Sequence, residues 1–125
     1  MAVMNVTLGD LHYTLGVGPE NTFLHLAGNL GGGNASKMTA VFQRTITHAR
    51  GKVFLSLQGC YTFDAQAMAA LDQHRKQLGE RCREMVLVDV PAQILKALEI
   101  GQLASLFEIF PSLGDAEKKY GLAIG

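Results

Sequence analysis

The fold turns on one stretch, Lys52–Gly79, "KVFLSLQGCYTFDAQAMAALDQHRKQLG". Its first six residues form an apolar run of strand type. From Ala65 the period changes, and Ala67, Met68, Leu71 and Leu78 recur at helical spacing, with Gly79 as the stop. Asp64 sits at the junction, where its carboxylate can accept from the free N–H groups of the helix's first turn. The next residue, Ala65, has no chemistry to offer. A strand feeding directly into a helix is the unit from which α/β domains are built.

Working outward, "EMVLVDV" (84–90) is apolar at nearly every position, as in a strand covered on both faces. Pro91 can open a helix because its missing N–H costs nothing there. Ile94, Leu95 and Leu98 supply its apolar face, and Gly101 closes it. "LFEIF" (106–110) reads as a last short strand, and Asp115 as the cap of a terminal helix. Toward the N-terminus, "NVTLGDLHYTLGV" (5–17) and "NTFLHLAG" (21–28) flank Gly18 and Pro19, which predicts two strands in a hairpin. "NLGGGNASK" (29–37) is a loop, with Asn34 or Ser36 as the next cap. Met38, Val41, Phe42, Thr45 and Ala49 then give a helix with one inward face, ended by Arg50 and Gly51. The element order is β-β-α-β-α-β-α-β-α. It predicts an α/β fold with helices packed on a mixed sheet, parallel apart from the opening hairpin.

The chain has 125 residues, the size of a single domain spanning 1–125, and 48 % of them are hydrophobic. Lys plus Arg equals Asp plus Glu at 11 each, which gives no electrostatic footprint for nucleic acid or an anionic membrane. The N-terminus lacks a basic segment followed by an apolar one, and no run approaches a membrane-spanning length. A cytoplasmic protein is expected, with no membrane insertion. Cys60 and Cys82 have no zinc or CxxC spacing, so buried free thiols are expected.

Few residues can carry chemistry. Gly31–Gly33 lacks the Walker and GxGxxG patterns, which leaves a mobile connector or a weak nucleotide or small-ligand site. His12, His25, His48 and His74 are scattered, without metal-ligand spacing, and no metal or cofactor is expected. His12 and His25 lie in strands that pair, and His74, beside Arg75 and Lys76, reads as solvated. Cys60 precedes the strand-to-helix turn, but the nearest ionisable group is Asp64, which would raise a thiol's pKa. Neither Cys60 nor Ser56 has an activating base, so an enzyme is not expected.

The stretch 52–79 followed by "EMVLVDVPAQILKALEIGQLASLFEIFPSLGDA" (84–116) resembles the STAS domain of anti-sigma-factor antagonists. The matching features are the strand running into Asp64, the helix with Leu71, His74, Arg75 and Leu78, then Gly79, and the strand V-L-V. "FLHLAGNLG" (23–31) falls where that family has a strand and a Gly-Glu-Leu-Asp-like turn. The resemblance covers about the last 100 residues. It implies a small mixed-sheet domain that switches between binding partners. In that family a phosphorylatable serine or threonine follows the aspartate at the start of the second helix. Here Asp64 matches the aspartate, and Ala65 occupies the acceptor position. Gln66 stands where a hydroxyl residue is common, and Ala67 replaces a glycine. Asn29 and Gly31 stand where glutamate and aspartate are usual.

The resemblance implies a regulatory interaction module contacting its partner through Asn29, Gly31, Asp64, Ala65, Gln66, Ala67 and Met68. Ala65 has no oxygen to phosphorylate, and Thr62 reads as withdrawn at the strand end. The implied partner is a kinase-like anti-sigma factor. The alternative is the ATPase subunit of a lipid or anion transporter, with this domain as accessory subunit. A weak homodimer through sheet edges or exposed helices is compatible with either.

Overall fold

The structure is a computed structural model and describes residues 2–81 and 83–121. Seven strands form one sheet: β1 (Ala2–Leu8), β2 (Leu11–Val17), β3 (Asn21–Asn29), β4 (Lys52–Ser56), β5 (Cys60–Tyr61), β6 (Met85–Val88) and β7 (Glu108–Phe110). Among the described residues four α-helices complete it, α1 (Ala35–His48), α2 (Ala65–Glu80), α3 (Ala92–Ile100) and α4 (Leu113–Tyr120), with a short 3-10 helix at Ala104–Leu106. The sheet order is β1-β2-β3-β4-β6-β7, with β5 pairing with the end of β3. β1, β2 and β3 are antiparallel neighbours, while β3–β4, β4–β6 and β6–β7 are parallel.

The expected α/β mixed sheet and element order are present. The expected first strand is folded in two. Gly9 takes φ +65° and lets the chain reverse, so that Leu8 pairs with Leu11 and an edge strand is added. Apolar positions fall at 6 and 8 and then at 11, 13, 15 and 17, so the alternation changes phase at the Gly9–Asp10 pair, which marks the bend.

Burial follows the alternation. Val53, Leu55 and Leu57 join Met85 and Leu87 in a large core under α1, α2 and α3. Phe54, Val86 and Val88 point the other way and pack with Ala116 of α4, backed by Phe110 and Tyr120. The central strands are therefore covered on both faces, as their near-continuous apolar character requires. On α1 the inward residues are Met38, Val41, Phe42, Thr45 and Ile46.

Helix ends differ from expectation. α1 stops at His48, before Arg50 and Gly51, because Ala49 is extended. α2 runs past Gly79 to Glu80, and the Arg81 N–H closes it on the Leu78 and Gly79 carbonyls. α4 is capped by Ser112, whose hydroxyl accepts from the Asp115 N–H. Asp115 lies in the first turn, where a carboxylate still favours the helix dipole. Cys60 is buried and unpaired; Cys82 lies outside the described residues.

The largest departure is His74. It is not in solvent but 1 % exposed, stacked on Phe42 with ring centroids 4.1 Å apart and planes 6° off parallel. Leu71, His74 and Leu78 fall three and four residues apart on the inner face of α2. Burial pushes the His74 pKa down from 6.5 to about 4. The folded value lies below the unfolded one, so as pH falls from 6.5 toward 4 the unfolded chain takes up a proton that the folded chain refuses. His74 should therefore remove about 3 kcal/mol of stability across that window, with no further loss below it. Urea denaturation at pH 7.5 and 4.5, compared between the wild type and His74→Phe, checks this. The variant should lose distinctly less stability on acidification.

Candidate functional site

The strand-to-helix turn and the glycine loop lie against each other at one end of the sheet. Asp64 joins them. Its backbone is extended (φ −100°, ψ −178°), and Oδ1 accepts from the Ala67 N–H at 2.9 Å, the expected cap of α2. Oδ2 accepts from the Gly32 N–H at 3.2 Å. One carboxylate thus serves a helix start and a loop that is 32 residues away in sequence. Just behind it, the Leu30 N–H is shared between the carbonyls of Tyr61 and Thr62, and β5 pairs Asn29 with Tyr61.

The loop is held from its other side by Asp10. The Asp10 carboxylate accepts from Asn34 Nδ2 at 2.7 Å and Asn29 Nδ2 at 3.1 Å, with Lys37 Nζ 3.9 Å away. Hydrogen bonds from Asn34 and then Asn29 hold this carboxyl below the usual range. Asn34 Nδ2 also donates to the Asn29 carbonyl. Asn34 therefore precedes α1 without capping it, because its side chain is turned back into the loop. Asn29 Oδ1 accepts from the Gly31 N–H at 2.9 Å, an Asx turn. Gly28 has φ +111°, and a Cβ there would run into the Asp10 carbonyl, so only glycine lets β3 end this close to the β1–β2 turn.

These contacts decide against a phosphate cradle in the glycine loop. The Gly31 and Gly32 amides already donate to Asn29 and Asp64, and Asp64 adds negative charge. Cys60 is no nucleophile either: its Sγ donates to the Leu26 carbonyl, and burial pushes the thiol up to about 12. No group of three or more metal-ligating side chains stands together among the described residues. His12 and His25 do not face one another. His12 opposes Ala27 and bonds Thr7, while His25 opposes Thr14 and bonds the Gln58 carbonyl.

The expected contact residues separate by exposure. Ala65 and Gln66 are exposed, and Asn29, Asp64 and Met68 are half-buried. Gly31 is buried, and a Cβ on it would overlap the Thr62 methyl. Ala67 must be removed from any contact surface: it is fully buried, and its small side chain lets α2 approach the sheet. Met68 leans on Gly101 at the end of α3. Thr62 is not withdrawn; it is exposed at the tip in a left-handed conformation (φ +51°), next to Tyr61, itself 50 % exposed. Asp10 carries little signal in the sequence beyond its place after Gly9 between two alternating runs.

Comparison with known proteins agrees with this architecture. The sequence profile of the STAS domain family matches residues 14–116. No curated protein matches the sequence. A STAS domain anti-sigma-factor antagonist from Planctomyces limnophilus is similar in structure, with TM-score 0.73 and 14 % identity over 88 % of this chain and 98 % of that one. The phosphorylated form of the Bacillus cell-fate determinant SpoIIAA gives 0.59 and 12 %, over 95 % and 99 %. A sulfate transporter family protein from Wolinella succinogenes gives 0.68 and 18 %, over 79 % and 83 %. At these identities the likeness is one of fold.

Asp64→Ala should cost about 1–2 kcal/mol, since it strips both the cap of α2 and the partner of Gly32. Urea denaturation measures the cost. Amide exchange at Gly32 and Ala67 should rise more than exchange in β6.

Proposed function

The chain belongs to the STAS domain family, and from that premise we propose that it is a cytoplasmic docking module that acts as one unit and catalyses no reaction. Its contact surface is the Asn29–Gly32 loop together with Tyr61, Thr62 and the exposed start of α2. The observation that carries this reading is the Asp64 bridge, which holds loop and helix start as one rigid patch with Ala65 and Gln66 outward. A preordered patch loses little freedom on binding. The partner is a kinase-like anti-sigma factor. The likeness in fold to an anti-sigma-factor antagonist supports that choice.

Ala65 removes the hydroxyl that this turn would need for switching by phosphorylation. A phosphoryl group would add about −1.5 to −2 charges beside a helix N-terminus and change what can dock. Residue 65 therefore gives this turn no such control. Incubation with a cognate kinase and ATP should leave the intact mass unchanged, and Ala65→Ser should acquire one phosphoryl group. A phosphoryl gain on the wild type mapped to 62–66 contradicts the reading, and Thr62→Ala identifies Thr62 as its source.

A second reading has one observation in its favour, the likeness to a sulfate transporter family protein. Here the same patch grips the ATPase subunit of a lipid or anion transporter. Affinity recovery from the native host separates the two. A kinase-like protein supports the first reading, and an ATPase with its permease supports the second.

A further inference from the structure

Between α1 and α2, beside the docking patch, lies a cleft of about 420 Å³, large enough for a small molecule. Phe42 and Ala70 form its apolar walls, and Gln43, Gln66, Gln73 and Gln77 bring four carboxamides to it. His74 is in its floor. The ring is 1 % exposed and stacked flat on Phe42, and neither ring nitrogen has a hydrogen-bond partner among the described residues. Buried polar atoms of this kind are rarely left unpaired, because their desolvation is then uncompensated. Arg75 and Lys76 do not relieve it, since both are engaged with Asp72.

The chemistry of the lining restricts the occupant. No Asp, Glu, Lys or Arg lines the cleft, so it offers a charged ligand no counter-charge. A neutral imidazole presents one N–H donor and one acceptor nitrogen, and each carboxamide presents both kinds. We propose that this cleft is a binding site for a small uncharged molecule with adjoining hydrogen-bond donor and acceptor, of the amide or lactam class, which pairs with a ring nitrogen of His74. Gln43, Gln66 and Gln73 are exposed, and their carboxamides can turn onto an occupant. The site stands independently of the docking reading. Gln66, shared by cleft and patch, would let an occupant be felt at Ala65.

The test titrates isotope-labelled protein with acetamide, 2-pyrrolidinone and nicotinamide, with acetate as the charged counterpart of acetamide. At millimolar concentrations at least one amide should shift the His74 ring resonances and the Gln66 and Gln73 side-chain amides along saturating curves, while acetate should not. His74→Phe keeps a stacked, buried ring and should weaken that binding about tenfold, the worth of one hydrogen bond. Gln73→Ala, at an exposed position, should weaken it without touching the core. Three results overturn the proposal: no saturable shift with any amide, acetate binding as well as acetamide, or undiminished binding by folded His74→Phe.

Discussion

The two oxygens of Asp64 hold apart and together the parts on which the rest depends. One satisfies the start of α2, and the other satisfies the glycine loop. Neither bond is strong alone, since a typical net contribution is about 1 kcal/mol. Their effect comes from being made by one rigid group. Gly32 is exposed, so a loop that drifts from the helix start exchanges this bond for one to water and loses only its modest net worth. Asp10 closes the arrangement from behind, tying Asn29 and Asn34 to the β1–β2 turn. The outcome is a polar patch whose backbone groups are largely spent internally, and which therefore offers a surface more than a reactive centre.

Much of the fold was legible because the decisive segments carry unambiguous periods. The apolar run at 85–88, the helical spacing of α1 and the Asp64 junction all read correctly from the residues. What was missed shares one cause: a local reading was set against a long-range contact. His74 reads as solvated from its charged neighbours Arg75 and Lys76, although its phase with Leu71 and Leu78 places it inward. Asn34 has the chemistry of a cap, but Asp10 and the Asn29 carbonyl claim its amide. Ala67 falls in phase with Leu71 and Leu78, which reads as inward, while the family resemblance puts it in the contact set; the core position is the one observed. Its phase, two residues from Ala65, sends it to the core.

The departures from the family's usual residues also form a coherent set. Gly31 leaves room that the Thr62 methyl fills, so an aspartate at 31 would require Thr62 to move. Asn29 provides the Asx turn and the link to Asp10. The loop is thus fitted to this chain's own turn, with Ala65 opening α2. The α1–α2 cleft adjoins this turn through Gln66.

The central claim is that partners engage the Asp64 patch. Hydrogen–deuterium exchange on the complex recovered from the native host tests it most directly. Protection gained at residues 29–34 and 61–69, with α4 and the outer face of β1 and β2 unchanged, is the predicted result. Protection confined to α4 or to the β1 edge, with the patch exchanging as in the free protein, would contradict the account.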